Sequence, residues 1–342
     1  MSIDVNALNE VARAIVAPGK GILAADESSG TIKKRFDSIG VESTEDNRRD
    51  YREMLFRADV ADAISGVILY DETIRQQAAD GTPLVELLEK QGIIPGIKVD
   101  LGAKPLALAA EGETVTEGLD GLRGRLEEYR GLGAKFAKWR ATYTITDALP
   151  SRYAIDVNAH ALARYAALCQ EAGIVPIIEP EVLMDGTHTI GRAEEVTHAV
   201  HEALFHALFE QQVSLPGVLL KPNMVLPGYE AEAQVSDAEI AATTVRCFRS
   251  SVPAAVPGIV FLSGGQSDEQ ATARLNEMNK LGPHPWELSF SYGRALQAPA
   301  LKAWKGEAGN LPAAQSAYVH RAKMNRAARF GEYNAAMEKQ AS

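Results

Sequence analysis

Eight short apolar, β-branched runs recur along the 342-residue chain, each separated from the next by a longer stretch with helical patterning. They are GILAAD (21–26), GVILY (66–70), IPGIKVD (94–100), FAKWRA (136–141), IVPIIEPE (174–181), GVLLKPN (217–223), GIVFLSG (258–264) and ELSFSYGR (287–294). Runs of this kind read as strands buried on both faces. Strands alternating with helices indicate a parallel sheet, and the number eight favours its closure into a barrel. The expected fold is therefore α/β, a (β/α)8 TIM barrel with an extra N-terminal helix and helical additions after residue 295.

Local punctuation agrees with that alternation. Thr82-Pro83 is expected to start a helix as N-cap and first residue, and Gly92 to end it. Ser267 to Gln270 has capping-box spacing before ATARLNEMNKLG, and IDVNAHALARYAALCQEAG stops at Gly173, directly before the fifth strand. The start, MSIDVNALNEVARAIV, reads as an amphipathic helix containing Asp4 and Glu10, not as a signal peptide. No Pro/Ser-rich linker divides the chain. One domain is expected over residues 1–342, with residues 330–342 as a flexible tail.

Charge narrows the function. Lys+Arg 35 against Asp+Glu 45 gives 35 − 45 = −10, which disfavours nonspecific binding to nucleic acid or an anionic membrane. An anionic substrate would need a basic pocket inside an acidic molecule. Cys169 and Cys247 are far apart in sequence, with neither metal spacing nor a disulfide framework, as suits a reducing, cytoplasmic location. His198, His201 and His206 share one helical segment, but their spacing does not match a zinc motif, so no metal or cofactor is expected. Gly19-Lys20-Gly21 with Ala24 imitates a dinucleotide fingerprint, but its glycines precede the strand instead of following it.

The charges that remain fall at strand ends. Strand one ends in Asp26, strand three in Lys98 and Asp100, and strand four carries Lys138 and Arg140. Strand five ends in Glu179 and Glu181, strand six in Lys221, and strand eight in Arg294. Each pair two residues apart shares a face, because side chains alternate along a strand. Taken singly, Lys221 could be a lysine reaching solvent along an apolar stem. As a set, cations and carboxylates converge on the strand ends where barrels of this type place their active sites.

Such a set suits amine chemistry. A partly desolvated lysine near another cation is a nucleophile, and Lys138 is the natural neighbour for Lys221. Attack on a ketone gives a carbinolamine, which needs an acid to lose water, and Glu179 is the best-placed candidate. The iminium that follows can stabilise a carbanion as an enamine, so an aldol bond can be cleaved without a metal. Ser263-Gly264-Gly265 and Ser291-Tyr292-Gly293-Arg294 follow strands seven and eight, the usual phosphate cradle of such barrels. Tight turns alone could explain the glycines of either loop.

At these residues the sequence resembles the class I, Schiff-base, metal-independent fructose-1,6-bisphosphate aldolases. GKGILAADES (19–28), EDNRRDYR (45–52), GIKVD (96–100), GLDGL (118–122), FAKWR (136–140) and ARYA (163–166) carry the resemblance. GIVPIIEPE (173–181), LLKPNMV (219–225), VPGIVFLSGGQS (256–267) and FSYGRALQ (290–297) extend it. The resemblance implies reversible cleavage of fructose 1,6-bisphosphate to dihydroxyacetone phosphate and glyceraldehyde 3-phosphate in glycolysis and gluconeogenesis, by a cytoplasmic homotetramer.

By position, the resemblance makes Lys221 the Schiff-base lysine and Glu179 the acid/base for dehydration and for the C4 hydroxyl. It makes Asp26 the supporting aspartate and Lys138 the electrostatic partner, with Arg140 and Glu181 as further substrate-site residues. Ser263, Gly264, Gly293 and Arg294 fall to the C1 phosphate, and Gly265 and Ser291 are expected to bind substrate as members of the same two loops. Ser28, Thr31 and Lys98 fall to the C6 phosphate, where Thr31 replaces a family serine and keeps the hydroxyl.

Animal members end in a tyrosine that assists proton exchange at the enamine carbon. This sequence ends EYNAAMEKQAS, its last tyrosine being Tyr333, so Glu179 or a water is expected to take that part. Two rivals remain. One is a Schiff-base aldolase for another ketose phosphate, such as sedoheptulose 1,7-bisphosphate, or a transaldolase-like enzyme. The other is a non-catalytic barrel scaffold, which would require lost catalytic residues.

Overall fold

A computed structural model of the chain describes residues 3–233 and 235–340. Eight strands form a closed barrel: β1 Gly21–Ala25, β2 Ile64–Leu69, β3 Ile94–Lys98, β4 Phe136–Tyr143, β5 Val175–Val182, β6 Leu219–Leu220, β7 Gly258–Phe261 and β8 Glu287–Tyr292. Each strand runs parallel to the next in sequence, and β8 closes on β1 through Ile22 opposite Ser291. All eight apolar runs are thus barrel strands.

Alternation decides what fills the barrel. Ile22, Ala24, Ile68, Phe136, Val175, Ile177, Leu219 and Val260 pack together inside it. Their neighbours Leu23, Ala25, Val67 and Ile178 belong to the larger core between strands and helices. The Phe136 ring fits because β3 offers Gly96, where a Cβ would lie 2.2 Å from it. Helix Val5–Ile15 closes the bottom, placing Leu8, Ala12 and Ile15 against that inner cluster. Two residues on from the inner apolar positions, the same face of β4, β5 and β6 carries Lys138, Glu179 and Lys221. Period-2 alternation therefore turns an apolar plug into a charged mouth.

Strand β6 is shorter than its apolar run suggests, because Leu215–Gly217 is a 3₁₀ turn and Pro222 has no N–H for the ladder. The backbone is still tied at that point: the Lys221 N–H donates to Ile178 O at 2.8 Å, and the Leu262 N–H donates to Pro222 O at 3.0 Å. The helix expected after Thr82-Pro83 starts one residue later, at Leu84–Glu89, with Pro83 itself as N-cap. Bridging between Gln77 and Pro83, with the Leu84 N–H on Gln76 O at 3.0 Å, holds this backbone extended. The Ser267–Gln270 capping box forms as expected, and Gly173 follows helix Arg152–Glu171 at φ +70°.

After β8, helices Arg294–Trp304 and Leu311–Arg329 pack on each other and on Asp268–Lys280. Arg329 anchors this addition to the barrel floor, donating to the carbonyls of Val16, Ala17, Lys20 and Leu288 and pairing with Glu287. From residue 330 the chain runs back along the same helices. Tyr333 is buried there, and Glu338, in the short 3₁₀ turn Ala335–Gln340, binds Arg321 and His320. Among the described residues, no helix is long and apolar enough to cross a membrane.

Candidate active site

One cavity of about 920 Å³ opens at the C-terminal ends of the strands, and all fifteen sequence-derived site residues line it. At its floor a buried carboxylate joins two lysines. Glu179 Oε1 lies 3.2 Å from Lys221 Nζ, and Glu179 Oε2 lies 3.1 Å from Lys138 Nζ. Lys138 also contacts Asp26 Oδ2 at 2.8 Å, so the order across the floor is Asp26, Lys138, Glu179, Lys221. Lys138 therefore reaches Lys221 through a shared carboxylate, not as a bare neighbouring cation.

The electrostatics of this row follow from burial and pairing. Burial opposes the charge of Lys138, yet Asp26 and Glu179 outweigh it and hold the ammonium protonated well above the usual lysine range. Burial likewise opposes ionisation of Glu179, and Lys138, Lys221 and Arg140 overcome it, keeping the carboxyl below its ordinary pKa. Asp26 is driven well below the usual carboxylate range: its own desolvation is overcome by Lys138 and then Lys221. The row is thus ionised from Asp26 to Glu179.

Above the floor, β4 and β5 run in register, with Arg140 opposite Glu179 and Thr142 opposite Glu181. The Arg140 guanidinium donates from Nε to Glu181, and the Arg140 N–H to Asp100 at 3.4 Å. Lys98 donates to both the carbonyl and the carboxylate of Asp100, each at 2.7 Å.

Two groups of polar residues line the cavity around that floor. In one, Ser28 and Thr31 share a hydroxyl–hydroxyl hydrogen bond of 3.1 Å across the first turn of helix Ser29–Asp37. In the other, Ser263, Gly264 and Gly265 form the turn after β7, and Ser291, Gly293 and Arg294 line the same cavity. Gly293 is the N-cap of helix Arg294–Trp304, whose first N–H groups make an anion-favouring end. Arg294 Nη2 donates to Gln266 O at 2.7 Å, which fixes its guanidinium beside that turn.

Sequence reasoning missed four contributors. Arg35 lines the cavity one helical turn after Thr31, a spacing that was available as the signal. Behind it, Glu27 pairs with Arg35 at 2.5 Å and with the buried Arg52 at 2.8 Å, and accepts from Gln297 at 2.9 Å. Gln297 also donates to Ala24 O at 2.7 Å, linking the helix that begins at Arg294 to strand β1. These partners are distant in sequence, and no local pattern marks them.

The histidines lie elsewhere. His201 is buried against Phe248, bonds Ser251, and has its pKa pushed down to about 3 by desolvation, while His206 faces Glu210 at the surface. Among the described residues, no group of three or more His, Cys, Asp or Glu side chains could hold a metal ion.

A family profile described as "Glycolytic: Fructose-bisphosphate aldolase class-I" matches residues 7–342. The chain is 58% identical over 333 residues to "Probable fructose-bisphosphate aldolase class 1" of Xanthomonas axonopodis pv. citri, covering 97% of this chain and 99% of that one. It is 55% identical over 329 residues to "Fructose-bisphosphate aldolase 1" of Toxoplasma gondii, covering 95% and 90%. Among solved structures, it is similar to fructose-bisphosphate aldolase from Plasmodium falciparum in a ternary co-crystal. The TM-score is 0.96 at 48% identity, with 97% of this chain and 96% of that chain covered.

Proposed function

The chain belongs to the class I fructose-bisphosphate aldolases, and from that premise we propose how its own residues divide the work. The enzyme is a lyase that reversibly cleaves fructose 1,6-bisphosphate to dihydroxyacetone phosphate and glyceraldehyde 3-phosphate. Lys221 is the nucleophile. Glu179, 3.2 Å away, accepts the proton that Lys221 must lose, and the amine then adds to the C2 carbonyl. The protonated Glu179 returns that proton to the carbinolamine hydroxyl, which leaves as water and yields the iminium.

Cleavage uses the same carboxylate again. Glu179 takes the C4 hydroxyl proton, the C3–C4 bond breaks, and its electron pair moves into the iminium to give the enamine. Glyceraldehyde 3-phosphate departs. Protonation at C3, by Glu179 or a water, and hydrolysis then release dihydroxyacetone phosphate and restore Lys221. Lys138 stays a fixed cation, held by Asp26, and steadies the ionised Glu179 between steps. Arg140 and Glu181 border the sugar.

The two groups of polar residues take the two phosphates. Ser263, Gly264, Gly265, Ser291, Gly293 and Arg294 suit the C1 phosphate, through backbone N–H groups, hydroxyls and one guanidinium. Ser28, Thr31 and Lys98 suit the C6 phosphate. A homotetramer in the cytoplasm is the assembly and location that membership of a glycolytic family supports, and sedimentation velocity tests the first.

The observation that carries this reading is the bridge from Glu179 to Lys221 and Lys138, at the floor of a cavity lined by two groups of anion-suited residues. Borohydride reduction in the presence of dihydroxyacetone phosphate and EDTA should attach the ligand to Lys221 and abolish turnover. An adduct mapped to another lysine, or turnover surviving in Lys221→Ala, would overturn the assignment.

A further inference from the structure

The segment after Lys221 does more than return the chain to the next helix. Residues 228–230 are stitched to the loop after β5: the N–H groups of Gly228, Tyr229 and Glu230 donate to the carbonyls of His188, Met184 and Gly186 at 2.8, 2.9 and 3.0 Å. The fit is close, since a Cβ at Gly228 would lie 2.1 Å from Gly186 O. This fixes the Tyr229 backbone, and the side chain then crosses to the turn after β7. Its hydroxyl donates to Gly264 O at 2.9 Å.

The ring rests directly on the next residue. A Cβ at Gly265 would lie 1.3 Å from the Tyr229 hydroxyl oxygen, and Gly265 has φ +64°, so both the contact and the backbone require glycine there. Tyr229 does not line the active-site cavity. It lines a separate hollow of about 130 Å³, and Gly265 borders both spaces. The ring and the active-site cavity thus meet at opposite sides of one turn. The ring is half-exposed, so burial alone does not account for its placement.

A trans peptide is planar, with its C=O and N–H pointing in opposite directions. Drawing Gly264 O towards Tyr229 therefore directs the Gly265 N–H away from the ring. Among the described residues, neither the Gly264 N–H nor the Gly265 N–H has a hydrogen-bond partner within the protein. Arg294 and Arg274 hold Gln266 on the other flank, the first through its carbonyl at 2.7 Å and the second through its side chain at 2.9 Å.

We infer that Tyr229 is a positioning residue that sets the Gly264–Gly265 peptide so that its N–H can donate to the substrate's C1 phosphate. The inference rests on the C1-phosphate placement proposed above. It predicts a defect in binding at one end of the substrate and none in the amine chemistry. Tyr229→Phe keeps the ring and removes one donor. KM for fructose 1,6-bisphosphate should rise about three- to tenfold, which is about 0.7–1.4 kcal/mol at 1.4 kcal/mol per tenfold. The kcat should stay within about twofold, and the melting temperature should be unchanged.

Product inhibition separates positioning from general damage. Dihydroxyacetone phosphate, which carries the C1 phosphate, should inhibit Tyr229→Phe less well by the same factor. Glyceraldehyde 3-phosphate, which carries the other phosphate, should inhibit as in the parent enzyme. Equal weakening of both products, a fall in kcat instead of a rise in KM, or no change at all would each overturn the inference. Arg294→Ala, measured alongside, distinguishes the two levels. If it too leaves KM unchanged, the phosphate placement is wrong. If it raises KM while Tyr229→Phe does not, only the role given to Tyr229 is wrong.

Discussion

Replacing Glu179 by glutamine tests the floor of the site most directly. The variant keeps shape and one hydrogen-bond acceptor and removes the charge and the exchangeable proton. Among the described residues, Glu179 is the carboxylate within ion-pair distance of Lys221, at 3.2 Å. Asp26 is committed to Lys138 at 2.8 Å and is held ionised well below the usual carboxylate range, so it has no proton to supply in place of Glu179. A positioned general acid–base contributes about 10²–10⁴ in rate, or about 2.7–5.4 kcal/mol of barrier. With no substitute nearby, turnover by Glu179→Gln should fall by that full range. The fold should hold, because Lys138 keeps Asp26. Rapid-quench borohydride trapping of dihydroxyacetone phosphate, followed by mass spectrometry of the Lys221 peptide, isolates the steps up to the iminium. Adduct formation should slow in parallel with turnover, while KM changes less than about tenfold. Turnover within tenfold of the parent would refute the reasoning and move the proton transfers to another group.

Arg294→Ala should raise KM for the bisphosphate about ten- to a hundredfold with little change in melting temperature, since a charge-assisted contact is worth about 1.5–3 kcal/mol; steady-state kinetics and a thermal melt decide it. Asp26 and Glu179 both have folded-state pKa values below their ordinary 3.8 and 4.5, so their pairing stabilises the protein fully above those ordinary values and is lost as pH falls below them, through the lower folded-state values. Acid unfolding, followed by circular dichroism, should therefore begin below about pH 4.5 and proceed as one transition if residues 1–342 form one domain. Deleting residues 336–342 removes Glu338, which accepts from Arg321 at 2.5 Å, His320 at 2.9 Å and the Tyr333 hydroxyl at 3.0 Å. The truncated enzyme should lose about 1–3 kcal/mol of stability yet keep turnover and detritiation of labelled dihydroxyacetone phosphate within about threefold. A hundredfold fall in detritiation with the fold intact would give this segment a catalytic part.

Much of this protein was legible from strand period and strand end. All eight apolar runs became barrel strands, and charges two residues beyond the inward-facing apolar positions met in one cavity. Both follow from local rules: alternation fixes which side chains share a face, and parallel closure brings every strand's C-terminal end to one rim. Strand-end chemistry marked Lys221 as the nucleophile and Glu179 as its acid, and the resemblance attached roles to the remaining positions.

What the sequence left open were relations between segments that meet only on closure. Pairing Lys138 with Asp26 and Glu179 depends on how β1, β4 and β5 are rotated about the barrel axis, and no spacing encodes that rotation. Glu27 stands beside Asp26 in the chain, yet its partners Arg52 and Gln297 come from positions 25 and 270 residues away. The Tyr229 hydroxyl meets the turn after β7, and Glu338 meets Arg321 and His320, through contacts that no local pattern in the sequence marks. A buried charge is tolerable only with a partner, but the chain carries 80 ionisable Asp, Glu, Lys and Arg side chains (35 + 45), and chemistry alone lets many of them pair. Which pairs form is decided by the distances that barrel closure imposes.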